Sequence, residues 1–189
     1  MPREWKTPIA LIALALAINL GLLALYYWPE TRALSGDENY YLGAARGLLS
    51  GEGVRENPFW PPLYGRMLAG SFQVFGPQLL AFQGLQIAMW LGTALFLTGI
   101  TRALLPSRAA AGTVLVFSLF SLDAMAYTHL LWPEIPHLFF FVGALYFAVV
   151  HGAHLTGAVA SGVWLGFALL TKLVALPFSP AVVLALFFC

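Results

Sequence analysis

The sequence predicts an all-α fold: a polytopic helical membrane protein with five to six transmembrane helices and two interfacial amphipathic helices in its first outside loop. Three observations carry this. Charged residues make up only 9% of the 189 positions, against about 25% in an ordinary soluble domain. The apolar set makes 60%, with a mean hydropathy of +0.83, more than a soluble globule of this size can hide. The apolar stretches are long and continuous, without the alternation of barrel strands. A soluble enzyme, a nucleic-acid binder and a disordered chain are excluded on these grounds. The net charge of +1 comes with no basic block, so no nucleic-acid partner is implied. Cys189 is the only cysteine, which leaves no disulfide framework and no thiolate metal cluster.

A membrane span needs roughly 17–25 mostly apolar residues. No charge falls between Lys6 and Glu30, so residues 8–28 form the first span, closed by the aromatic belt Tyr26-Tyr27-Trp28. This run is read as a retained anchor rather than a signal peptide, because bulky aromatics follow it in place of a small-residue cleavage site. The second span is 78–100, before Arg102 and the Pro106-Ser107-Arg108 turn. The third is 109–131, interrupted by Asp123. Residues 135–171 hold no Lys, Arg, Asp or Glu, too long a run for one helix. With His151-Gly152-Ala153-His154 as the turn, the fourth and fifth spans are 134–150 and 155–171. A sixth covers 173–189, bent or delayed by Pro177 and Pro180. The chain stops inside an apolar stretch, so it is expected to be the N-terminal part of a longer protein.

Arg3 and Lys6 precede the first span, and Arg102 and Arg108 flank the turn after the second. Alternation puts both groups on one side, which the positive-inside rule makes cytoplasmic. The 29–77 segment then lies outside. By the same parity Asp37, Glu38, Glu134 and Lys172 collect on the outer face.

Within 29–77, Ser35-Gly36-Asp37-Glu38 opens an amphipathic helix. Tyr41, Ala44, Ala45, Leu48 and Leu49 share one face, and Ser50-Gly51 ends it. Asp37 and Glu38 fall in its first turn, where helix N–H groups favour carboxylates; simple capping would also place them there. Asn57-Pro58-Phe59-Trp60-Pro61-Pro62-Leu63-Tyr64 forms an extended turn. A second interfacial helix covers about 63–75, ended by Gly76-Pro77.

Asp37-Glu38 after the first span, followed by Tyr41, Ala45, Leu48 and Gly51, resembles the D-E-x-x-Y…A…G pattern of GT-C glycosyltransferases. Pro61-Pro62-Leu63-Tyr64 resembles the P-P-L-Y element that follows it there. Trp132-Pro133-Glu134 looks like the family's second acidic position, and Gly162…Gly166…Leu170-Thr171-Lys172 like the end of a later span. The nearest branches are the bacterial protein O-mannosyltransferase-like, aminoarabinose–lipid A transferase-like and rhizobial galacturonosyltransferase-like groups. The likeness runs from the first span to about residue 180; it rests on the order, spacing and shared sidedness of motifs that are individually common. Two departures stand out. Trp60 occupies a place where the family often has a basic residue or His, and family members carry several more spans.

The resemblance implies inverting transfer of a sugar from a polyprenyl-phosphate donor to a lipid, glycan or protein acceptor, in a bacterial inner membrane with the 29–77 loop periplasmic or extracellular. An acceptor hydroxyl needs a carboxylate base within hydrogen-bond reach, and the leaving phosphate needs cationic or amide stabilisation. Asp37 is the expected base. Glu38 orients Asp37, the acceptor or a metal. Glu134 binds acceptor or sugar hydroxyls, Arg46, Arg66 and Lys172 the donor phosphate, and the motif tyrosines Tyr41 and Tyr64 join the substrate-binding set. Each has a plainer reading: Lys172 as a snorkelling helix end, Arg46 and Arg66 as solvated faces, Glu134 as a helix N-terminal charge.

Asp123 lies within the third span, about two turns from its outer end, where a charge normally faces a cavity or a partner; it is a weaker candidate for the same site. His129 and His137 flank Glu134, but their spacing matches no metal-ligand pattern. No resident cofactor is assigned, and a divalent metal stays an open alternative. Gly162 and Gly166 predict close helix packing, and Gln83 and Gln86 predict bonds to neighbouring helices. Phe139-Phe140-Phe141 reads as packing. Two other functions compete: a non-catalytic subunit that binds polyprenyl lipid or scaffolds a complex, and a transporter fragment.

Overall fold

The structure is a computed structural model that describes residues 3–29, 32–34, 36–52 and 61–188. Among these the fold is all helical. The first helix, α1 (Arg3–Tyr26), leads to two short helices, α2 (Asp37–Ser50) and α3 (Leu63–Phe75). Then come α4 (Leu79–Leu104), α5 (Arg108–Leu119) and α6 (Leu122–Tyr127), followed by α7 (Glu134–His151) and α8 (Leu155–Thr171). A 3-10 segment (Leu173–Phe178) precedes α9 (Ser179–Phe188). Among the described residues three stretches are long and apolar enough to cross a membrane: Thr7–Tyr26, α4 and α7. Their 20, 26 and 18 residues give lengths of about 30, 39 and 27 Å at 1.5 Å per residue, against a hydrocarbon core of about 30 Å.

Both short helices end where their glycines fall. Gly51 closes α2 at φ 77° and Gly76 closes α3 at φ 76°, a backbone region that side-chain-bearing residues rarely enter. The α3 and α8 limits coincide with the expected 63–75 and 155–171, and α4 runs four residues past the expected 100.

The expected third span, 109–131, is not one helix. α5 stops after 12 residues, about 18 Å of rise. The Phe120 N–H still donates to Val116 O, and then Ser121 leaves helical geometry at ψ 108°. The Ser121 hydroxyl accepts from the Ala124 N–H (3.4 Å), so it caps a new helix in which Asp123 occupies the first turn. Asp123 is therefore an exposed residue at a helix start rather than a charge in mid-helix. The sixth stretch is also interrupted: Pro177 falls inside the 3-10 segment, and α9 begins only at Ser179.

The 128–133 connection is non-helical, and its backbone polar groups need partners. They find them in the protein. Gln86 Nε2 donates to the carbonyls of Thr128 (3.0 Å) and Leu130 (2.8 Å). Gln83 Nε2 donates to His129 O (2.8 Å) and to Tyr27 O at the end of α1 (3.3 Å). Asn19 of α1 donates to Thr128 Oγ1 (3.2 Å). The two glutamines thus bond mainly to a loop, where helix-to-helix bonds were expected.

Helix packing explains which ends meet. Across α4 and α7, a Cβ at Gly92 would lie 2.6 Å from Phe139 Cε2, and one at Gly99 2.5 Å from Tyr146 Cε2. Both contacts advance by seven residues, so the two helices run parallel. α7 and α8 run antiparallel: His137 Nδ1 lies 3.1 Å from Ala168 O, and Ser161 Oγ donates to Ala144 O (2.9 Å). Gly143 accepts the face of Trp164. Phe96, Phe139, Phe140, Tyr146, Phe147, Trp164 and Phe167 form one ring cluster across these three helices. Phe139 and Phe140 are packing residues, as expected. Close packing was expected at Gly162 and Gly166; among the described residues nothing lies within 4 Å of a Cβ at either position. Gly92, Gly99 and Gly143 lie against aromatic rings that need the room, and Gly157 lies against the His151 backbone.

Candidate functional site

α2 starts after Gly36, at φ 54°, a positive angle that glycine adopts without the steric cost of a side chain. Successive helical residues point about 100° apart, and this separates the two acids of its first turn. Asp37 is exposed, while Glu38 is fully buried. Glu38 is held on three sides. Arg32 forks onto it, with Nη1 to Oε2 at 2.8 Å and Nη2 to Oε1 at 2.5 Å. The Leu131 N–H donates to Oε1 at 2.9 Å. Arg32 Nη2 also donates to His129 O at 3.1 Å. A buried carboxylate requires such pairing. The knot joins the chain after α1, the start of α2 and the loop before α7.

Three residues beyond Leu131, Glu134 opens α7. Its Oε1 pairs with Lys172 Nζ at 2.6 Å, at the end of α8. The pair is part-exposed, the Lys172 side chain at 39%. Glu134 Oε2 and Trp132 Nε1 are enclosed and have no hydrogen-bond partner among the described residues. Tyr41 is buried: burial raises its pKa well above the usual phenol value, and the carboxylates of Asp37 and Glu134 raise it further. Its ring meets Tyr64 edge-on at 4.5 Å.

The structure pairs Glu134 with Lys172 and places Asp37 at the same end of the bundle, one residue from Glu38, which holds the Leu131 N–H three residues before Glu134. Glu38 sits behind them with both oxygens engaged by Arg32, an arrangement suited to orienting the α2 start and poorly suited to ligating a metal ion. Tyr64 is corrected from a substrate contact to a core residue. It is fully buried, and its hydroxyl donates to Gln86 Oε1 at 3.1 Å. Burial raises its pKa, with Tyr41, Glu134 and Glu38 adding to the shift. Arg46 is exposed nine residues along α2 from Asp37, half a turn round the helix. Arg66 is exposed on α3. Neither Arg46 nor Arg66 forms an ion pair with a described residue. Asp123 is exposed on α6 and has no hydrogen bond or ion pair with a described residue. The Asn57–Trp60 turn lies outside the described residues.

His129 is enclosed, stacked on Tyr27 with ring centroids 5.0 Å apart. Neither ring nitrogen has a hydrogen-bond partner among the described residues. Burial lowers its pKa to about 4; the nearby Asn19 backbone opposes the shift and the Arg32 charge adds to it. His137 instead faces α8. Among the described residues no three His, Cys, Asp or Glu side chains converge as a metal site.

Arg32 was not singled out from the sequence. An arginine six residues before a buried acid has no recognisable pattern, and only the fold shows the pair. Among the described residues the chain is all helical, with three helices long and apolar enough to cross a membrane and the carboxylates Asp37, Glu38 and Glu134 at one end. No family model, no curated protein and no solved structure matches it.

Proposed function

We propose that this chain carries the reaction face of a membrane glycosyltransferase of the GT-C type. It would move a sugar from a polyprenyl-phosphate donor to a lipid, glycan or protein acceptor at the outer membrane face. The observation that supports this best is the exposed Asp37 carboxylate beside Glu38, whose bond to the Leu131 N–H ties it to the loop leading into the Glu134–Lys172 pair at the same end of the bundle. Asp37 accepts the acceptor hydroxyl's proton as that oxygen attacks the anomeric carbon and the bond to the carrier phosphate breaks. Lys172 has three N–H donors and gives one to Glu134, so its part-exposed ammonium can face the departing phosphate. Glu134, whose side chain is part-exposed, would accept from a sugar or acceptor hydroxyl. Arg46 and Arg66 would attract anionic headgroups from a distance rather than hold the reacting phosphate.

Membranes containing the protein, supplied with radiolabelled polyprenyl-phosphate sugars, test this. Turnover that vanishes in Asp37→Asn at unchanged expression is the expected result. Unchanged turnover in that variant removes Asp37 as base. A second reading is a subunit that binds polyprenyl lipid without transferring sugar, favoured by Trp60 in a place where the family often has a cation. Saturable binding of the lipid phosphate with no turnover from any donor would select it.

A further inference from the structure

We propose that Arg32 is a positioning residue: through Glu38 it ties the start of α2 to the 129–131 loop and so sets Asp37 against the Glu134–Lys172 pair. This deepens the glycosyltransferase reading and rests on it for its catalytic consequence. α2 is 14 residues long and packs chiefly on α3, and its Tyr41 and Ala45 share an apolar cluster with Phe82 and Leu131, a contact without directional preference. The tie adds a directional constraint. Its two forked bonds to Glu38 hold one carboxylate plane, and its bond to His129 O reaches the same loop that Glu38 grips through the Leu131 N–H. Both anchors lie next to residues of the site: Asp37 is one residue from Glu38, and Glu134 three from Leu131. Tilting α2 would move Asp37 while leaving Glu134 and Lys172 in place, since those two are held by α7 against α8.

The test uses spin labels at two exposed sites, Leu49 on α2 and Leu138 on α7, in the full chain with Cys189→Ser. The parent should give one narrow distance. Arg32→Lys keeps the charge and one bond, and should broaden it slightly. Arg32→Ala leaves Glu38 buried without its partner and risks misfolding. The paired Arg32→Met/Glu38→Met replacement removes the tie while keeping the site packed, and should broaden or shift the distance by several ångströms. In the same paired variant kcat should fall about a hundredfold, as a misplacement near 1 Å can cause. The donor KM should stay within about threefold and the pH profile unchanged, since Asp37 is retained. An unchanged distance distribution overturns the proposal whatever the turnover. A broadened distribution with unchanged kcat overturns the catalytic part. If the parent itself transfers no sugar, the glycosyltransferase reading fails, and the distance measurement still decides whether Arg32 sets the α2 angle.

Discussion

Asp37 and Glu38 are neighbours with opposite surroundings, and the difference comes from one helical step. Glu38 turns inward onto Arg32 and Leu131, whereas Asp37 faces out beside Tyr41. The arginine fork offsets the charge of the inner one. His129 is a buried base. Its folded pKa, about 4, lies below the 6.5 of a free imidazole, so between those values the unfolded chain binds the extra proton. Its contribution to stability is full above pH 6.5 and falls as pH drops toward 4. His129→Phe should flatten this acid-side decline by up to one proton. Thermal melts in detergent between pH 7 and pH 4 would read it, and parallel pH profiles for parent and variant would contradict it.

Among the elements, the α4–α7–α8 contacts divide the glycines into two classes. A side chain at Gly143 meets Trp164, and one at Gly99 meets Tyr146. Gly143→Leu should destabilise the bundle by about 1–3 kcal/mol through overpacking. Gly162→Ala and Gly166→Ala should stay within about 1 kcal/mol of the parent, on the stable side, because the added methyl meets open space and the helix loses a flexible residue. Unfolding by a denaturing detergent would rank them; a large loss at Gly162 or Gly166 would mean that another surface covers that face of α8. The break between α5 and α6 is a second element-scale feature. Asp123 is exposed there without a partner among the described residues. Asp123→Asn should raise the melting midpoint if this surface meets lipid, where an ionised carboxylate costs roughly 2.5–3.5 kcal/mol on insertion scales.

At the scale of the whole molecule, helix direction gathers the site. α4 and α7 run parallel and α8 runs against them, so the ends carrying Glu134 and Lys172 coincide, away from Arg102 and Arg108. In the proposed orientation, with the basic end inward, an impermeant thiol reagent on intact cells should label a cysteine placed at Ser50 or Leu173 and spare one at Ser107 or His154. The reverse pattern would invert the orientation and remove the outer-face reaction. Much of this was legible along the chain. The α2, α3, α7 and α8 limits, and the shared end of Asp37, Glu134 and Lys172, follow from glycine and proline punctuation, uncharged runs and parity. Those signals are local, or additive along the chain. Tertiary structure alone decided that Glu38 is buried with Arg32 and that Tyr64 belongs to the core. It also decided that Gln83 and Gln86 hold a loop, and that Gly92, Gly99 and Gly143 rather than Gly162 and Gly166 lie at helix contacts. Each of these depends on which face of a helix meets which neighbour, and helical periodicity marks an apolar face without naming the residue across from it.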